Sequence, residues 1–322
     1  MTSLPMRPAV AECLAEAAEA DDSLVLVVAD GHALGLPLKA AHPERFIDVG
    51  IAEATLVGVA AGIARTGRRV VAAAMAPFLT RRAAEQARND VCNANLPVTF
   101  IGVGGGLSYG PLGPTHHAPE DLVTFANMPN TRVFCPADAP SAAWSVRQAL
   151  SLARPAYVRL GARADRLVFV GSAPHDAARG DLLRGPEAAD VLLVSTGATV
   201  AVALDAADEL ARRGVTASVF ALTLVSPFPE SRIRELAARA RVVCVVEEHV
   251  RSGGIGEATA RVLAGRPNSM CFHSVDNRYP PVAEREDLFT FYGIDTAHVV
   301  EGVVAQLGNT AHLPTALTGR KQ

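Results

Sequence analysis

Short, unbroken apolar runs recur along the chain, separated by longer stretches in which apolar residues return every three or four positions. The runs are SLVLVVAD (23–30), RVVAAAM (69–75), PVTFIGVG (97–104), RVFCP (132–136) and AYVRL (156–160). Apolar character at every position, rather than at alternate ones, predicts strands buried on both faces, which is the pattern of a parallel sheet with helices above and below. Between 170 and 186 the rhythm lapses into VGSAPHDAARGDLLRGP, rich in glycine, proline and charge, and this predicts a connecting segment. A second series then begins with ADVLLVSTG (189–197), VAVALDAADELARRG (200–214) and TASVFALT (216–223). It continues through a helix near 230–240 to RVVCVVEEH (241–249) and SGGIGEATARVLAG (252–265). The second of these segments ends as a helix should, with Arg212 and Arg213 in its last turn and Gly214 as the stop. The expected fold is therefore α/β, with two consecutive domains, each a mostly parallel sheet covered by helices. The expected boundaries are 1–172 and 187–322, with a linker over 173–186.

With 322 residues and 49% hydrophobic content, the chain can bury two such cores. Its net charge of −3 is spread over interspersed acids and bases, which leaves no basic stripe for a nucleic-acid backbone. The five cysteines are odd in number, scattered and without a C-x-x-C pair, so they read as reduced thiols in a cytoplasmic protein. The N-terminal stretch has no long apolar run, and the helix after Glu53 is too short and interrupted to span a bilayer, so no membrane association is expected.

Candidate chemistry narrows quickly. GVGGG (102–106) follows a strand but breaks dinucleotide-binding spacing at Leu107, and the chain contains no G-x-x-x-x-G-K-[ST]. SGGIG (252–256) reads as helix-on-sheet packing as readily as an anion cradle. Histidines 116 and 117 form the one adjacent pair, a poor chelate without acids or thiols beside it, so no metal ligand set is assigned. More specific is FIDVGIAEATLVGVAAGIA (46–64), in which one carboxylate, Glu53, opens a helix whose Ala54, Gly58 and Gly62 fall on one face. Such a face lets another backbone approach closely. Taken alone, Glu53 reads either as a complement to the helix dipole or as an acid held for chemistry.

Its company decides between the two. HPERFIDVGIAEATLVGVAAGIARTGRRVVAAAMAPFLTRRAAEQARNDV, GLSYGPLGPTHHAPEDLVTFANMPNTRVFCPAD and RPAYVRLGA resemble, in order and spacing, the pyrimidine-binding domain of the transketolase and 1-deoxyxylulose-5-phosphate synthase family. The likeness runs on through VVCVVEEHVRSGGIG into the C-terminal domain and is nearest to the second subunit of split transketolases. The resemblance implies transfer of a two-carbon ketol unit from a ketose donor to an aldose acceptor, with thiamine diphosphate as cofactor. Glu53 matches the glutamate that hydrogen-bonds the cofactor's pyrimidine ring, and Phe78 matches the aromatic that packs on that ring, although core packing would also suit it. His116, rather than His117, matches the histidine that reaches the reacting carbonyl. Asp30 and His32 fall on a loop that lines the substrate funnel in the family, or on a solvent-facing turn. Gln86 lies on the helix facing the cofactor or the subunit interface.

The chain also departs from the family. It has no G-D-G motif, so the half-site that holds the diphosphate and Mg2+ is expected on a partner subunit, in an α2β2 assembly. The acid that usually bonds a sugar hydroxyl is replaced by Leu112, a common histidine by Gly104, and a phosphate-binding arginine by Ala162, with Arg163 one place later as substitute. Lost partners of this kind alter selectivity, and a specialised or less phosphorylated substrate is expected. Two other readings remain: the β-subunit of a thiamine-dependent 2-oxo-acid dehydrogenase or decarboxylase, and a non-catalytic scaffold subunit.

Overall fold

A computed structural model describes residues 3–169 and 179–310, leaving aside the side chains of residues 32, 309 and 310. In chain order its strands are β1 (Ser3–Pro5), β2 (Val25–Val28), β3 (Phe46–Asp48), β4 (Val70–Met75), β5 (Val98–Val103), β6 (Arg132–Phe134) and β7 (Ala156–Leu160). They continue as β8 (Ala164–Arg166), β9 (Asp181–Arg184), β10 (Val191–Thr196), β11 (Ala217–Leu222), β12 (Leu224–Ser226), β13 (Val242–Val250) and β14 (Ser269–Val275). The larger sheet has the order β12-β6-β7-β5-β4-β2-β3, and all its pairings are parallel except β12 against β6. The second sheet runs β14-β13-β10-β11-β9, parallel except for β9 against β11.

The predicted double burial is realised residue by residue. Val25 and Val27 of β2 pack with Leu56, Val57 and Ala60 of the helix Glu53–Arg65. Leu26 and Val28 turn the other way, onto Met6, Val10 and Leu14 of the helix Met6–Ala20. β1 and β8, which pair antiparallel with each other, and the edge strand β14 match no apolar run read from the sequence, and two further strands differ from the expectation. Asp181–Arg184, inside the segment expected to link the domains, pairs antiparallel with β11, while residues 173–178 of that segment lie outside the described residues. β12, from the second half of the chain, pairs with the edge strand β6 of the first sheet and supplies the backbone partners that edge would otherwise leave open.

Behind the first sheet, a buried ionic network ties the two halves together. Asp121 is fully buried and accepts from the Tyr157 hydroxyl (2.6 Å) and from Arg159 Nε (3.0 Å), with a second contact from Arg159 Nη2. Arg159 Nη1 also donates to the backbone carbonyl of Glu248 (3.0 Å) on β13, and the Glu248 side chain accepts from the Leu107 amide (2.7 Å). Arg285 adds an ion pair to Asp165 (2.8 Å). Among the described residues no helix is long and apolar enough to cross a membrane.

Candidate active site

The topology picks out one place for a ligand. From β2 the chain crosses to β3 on one side, and from β4 it crosses to β5 on the other, so the carboxyl ends of β2 and β4 flank a switch in winding direction. In open parallel sheets, ligands settle in the crevice outside such a point. Here the crevice contains a cavity of about 150 Å³ lined by Arg7, Asp30, Gly31, Met75, Val103 and Tyr109, among others.

Glu53 is the first residue of its helix and only 4% exposed. Its Oε2 accepts a hydrogen bond of 3.1 Å from Arg82 Nη1, at the end of the helix Ala76–Arg82 that follows β4. The Arg82 guanidinium lies over the Phe78 ring, 4.1 Å from its centre. Phe78 in turn meets His116 edge-on at 5.3 Å, and His116 meets Tyr109 at 6.4 Å. The Thr115 hydroxyl shares a 2.9 Å hydrogen bond with His116 Nδ1. Three loops that leave the carboxyl edge of the sheet thus bring Glu53, Phe78 and His116 into one chain of contacts.

Of the other expected residues, Asp30 caps the end of β2 with φ +54°, and its amide donates to Asp48 (3.3 Å). It lines the same cavity as Tyr109. His32 starts the helix His32–Ala41, and its side chain lies outside the described residues. Gln86 is half-buried, and its Oε1 is enclosed without a hydrogen-bond partner in this chain. Arg163 points to the second domain and pairs with Glu284 at 2.5 Å. His117 is buried, and its Nε2 lies 3.2 Å from the Gly110 carbonyl. Burial pushes its pKa down, which keeps it neutral.

Three residues that sequence reasoning passed over belong to this site. Arg82 occupies the space between Glu53 and Phe78. Tyr109 explains Gly104, which has φ +77° and no room for a side chain, because a Cβ there would collide with the Tyr109 ring. Arg7 reaches across from the first helix and donates to the Ala162 carbonyl (3.3 Å), so a cation stands beside the position that lacks the expected arginine. The only sequence cue was the set of vacated positions, 104 and 162, since the residues that fill the space are distant in sequence or on a different turn.

Fold and crevice together define an α/β protein of two sheet domains with a cavity at the carboxyl ends of the first sheet. The family model "Transketolase, pyrimidine binding domain" matches residues 2–164, and "Transketolase, C-terminal domain" matches residues 180–299. An apulose-4-phosphate transketolase subunit of Actinobacillus succinogenes is 33% identical over 86% of this chain and 90% of its own length. The subunit of the same name from Phocaeicola vulgatus is 29% identical over 90% of this chain and 93% of its own. Among solved structures, one described as "Split gene transketolase, inactive beta4 tetramer" superposes with a TM-score of 0.84 at 32% identity, covering 95% of this chain and 99% of that one. The chain belongs to the transketolase family, with the domain content of the second subunit of a split enzyme.

Proposed function

We propose that this chain supplies the pyrimidine-binding half of a two-component transketolase that uses thiamine diphosphate, with the diphosphate and Mg2+ held by the partner subunit. The observation that carries this reading is the Arg82 guanidinium, a flat N–C–N group stacked on Phe78 and hydrogen-bonded to Glu53. An aminopyrimidine has the same flat N–C–N edge, so the ring and the acid suit it. Glu53 would hold the ring by its nitrogen and share a proton there, Phe78 would fix its plane, and Arg82 would swing aside. The cofactor, when bound, would supply a carbon nucleophile, and the protein would supply position, proton placement and exclusion of water. His116, half-exposed beside Phe78, would hold and pass a proton at the substrate's carbonyl and hydroxyl oxygens.

The substrate is a ketose phosphate outside the usual pair of xylulose and ribose phosphates. Two relatives are named for apulose 4-phosphate, and this chain offers Arg7, Asp30 and Tyr109 around the crevice where positions 104 and 162 carry no functional side chain. The partner is a diphosphate-binding subunit in an α2β2 assembly, and the pairing surface is the helix face of Ala54, Gly58 and Gly62. At Gly58 and Gly62 an added Cβ would meet nothing within 4 Å in the isolated chain.

Titration calorimetry with thiamine diphosphate and Mg2+, on this chain alone and mixed with the diphosphate-binding subunit from the same genome, tests the reading. Tight binding only in the mixture is expected. Absence of binding in the mixture would overturn the cofactor assignment, and turnover of xylulose 5-phosphate and ribose 5-phosphate as efficient as that of apulose 4-phosphate would overturn the substrate assignment.

A further inference from the structure

Two neighbouring strands of the second sheet gather a cluster that the crevice does not use. Cys244 of β13 and Cys271 of β14 are register partners in the parallel pairing, and His273, two residues beyond Cys271, projects from the same face. One ligating atom from each of the three lies within 4.8 Å of the other two. Cys244 is fully buried in the core beneath the helix Thr296–Thr310, while Cys271 and His273 are partly open toward the sheet edge, where β14 is the last strand.

The histidine is held in the way a metal-binding histidine needs. Its Nδ1 lies 2.6 Å from the backbone carbonyl of Gly293, so Nδ1 carries the proton and donates it. That fixes the tautomer and leaves Nε2 with a bare lone pair, and Nε2 is buried without a hydrogen-bond partner. A second-sphere carbonyl on the far nitrogen is the arrangement that orients ligating histidines and raises their basicity. The space before Nε2 is kept open by Gly302 in the middle of the covering helix, since a Cβ there would sit 2.7 Å from that nitrogen. Glycine inside a helix costs about 1 kcal/mol relative to alanine, so its presence at this point calls for a reason.

We propose that Cys244, Cys271 and His273 form a binding site for one thiophilic divalent cation, with Zn2+ as the best match, in the C-terminal domain. Two sulfurs and an imidazole nitrogen form the soft donor set that selects zinc over magnesium or calcium. On binding, each cysteine gives up its S–H proton to solvent and forms a Zn–S bond, and Nε2 forms the third bond without losing a proton. Two thiolates balance the 2+ charge, so the occupied site is neutral and its burial carries little desolvation cost. The fourth position is left to water. The site belongs to the second sheet, so neither the thiamine reading nor the partner subunit enters the argument.

The full chain, purified under reducing conditions, stripped with a chelator and dialysed against Zn2+, is expected to retain about one ion, in keeping with the one such cluster among the described residues. Reloading with Co2+ is expected to give thiolate charge-transfer absorption and the intense visible bands of a tetrahedral site. Cys271→Ser and His273→Ala should each abolish both signals, whereas Cys92→Ser, buried elsewhere, should leave them intact. Melting of each variant in chelator should match the stripped wild type, which separates loss of the ligand from loss of the fold. The proposal fails if the reduced wild type takes up no Zn2+ or Co2+, or if Cys271→Ser binds as well as wild type. It also fails if Cys244 and Cys271 are isolated as a disulfide and still take up no metal after reduction.

Discussion

At the scale of single residues, the site is organised around Glu53, an acid that is nearly inaccessible and that accepts a hydrogen bond from Arg82, its one ion-pair partner among the described residues. Glu53→Gln keeps the shape and the hydrogen-bond reach but removes the capacity to take a proton. Ketol transfer by the assembled enzyme should fall by about 10²- to 10⁴-fold, the range of a lost acid–base group, with the melting temperature of the isolated chain unchanged. Single-turnover kinetics beside a thermal melt would check both halves of that statement, and a fall in the melt alone would assign Glu53 to structure. Arg7 belongs to the other side of the crevice. Its replacement by alanine removes a cation that faces the cavity with Asp30 and Tyr109, and a charged hydrogen bond to substrate phosphate is worth about 1.5 to 3 kcal/mol. KM for a phosphorylated donor should therefore rise by roughly 10- to 100-fold, while thiamine diphosphate affinity, set on the Phe78 side, should stay the same.

At the scale of elements, the joint between the two domains is a buried polar network, and this sets its response to mutation and to pH. Asp121→Asn leaves the Arg159 guanidinium buried against a neutral amide. Breaking such a pair costs about 3 to 5 kcal/mol, to be read in urea unfolding, whereas the same change at the exposed Glu16–Arg147 pair should cost almost nothing. His249, at the end of β13, reports on the same joint. Its Nδ1 donates to the Val250 carbonyl (2.7 Å), and its Nε2 accepts from the Val123 amide (3.3 Å) at the start of a helix in the first domain. Burial, reinforced by the nearby Arg159 and opposed by Asp121, pushes its pKa down to about 4. Between that value and the ordinary 6.5 the unfolded chain binds the proton and the folded chain does not, so stability rises with pH across the window. The contribution is complete above pH 6.5 and lost toward pH 4, on the order of 3 kcal/mol in all. His249→Gln should flatten the melting temperature over that range, and an unchanged slope would place the titrating group elsewhere. None of this joint could be read from the sequence. Strands β2, β4, β5, β6, β7, β10, β11 and β13 follow from local apolar runs, and Glu53 was singled out by a helix start together with the family resemblance, whereas Asp121, Arg159 and Glu248 meet only after residues 38 and 89 positions apart are folded together. β12 escaped notice for the same reason, since two apolar residues and a serine shortly after β11 say nothing of the sheet they will join.

At the scale of the whole molecule, the helix Glu53–Arg65 leaves its small-residue face uncovered among the described residues. Ala54, Gly58 and Gly62 were legible as a small-residue stripe because their spacing is a local property. What the stripe meets was not, because among the described residues no atom lies within 4 Å of a Cβ added at Gly58 or Gly62. A residue that packs within its own chain is punished when enlarged, as at Gly104, where any side chain would strike Tyr109. Gly58 behaves differently: it is exposed, its added Cβ would touch nothing within 4 Å, and it sits in the middle of a helix where glycine is a weak former. Gly58→Leu should therefore leave the isolated chain as stable as wild type or raise it by about 0.5 to 1 kcal/mol. The same leucine would stand in the path of a closely approaching helix, so mixing with the diphosphate-binding subunit should no longer yield an assembly in sedimentation velocity, and no cofactor should bind in the mixture. If Gly58→Leu assembles normally and binds cofactor like wild type, the partner approaches from some other face. If it also destabilises the isolated chain, the bare stripe was not bare. The two measurements together separate a surface that waits for a partner from one that merely has small residues.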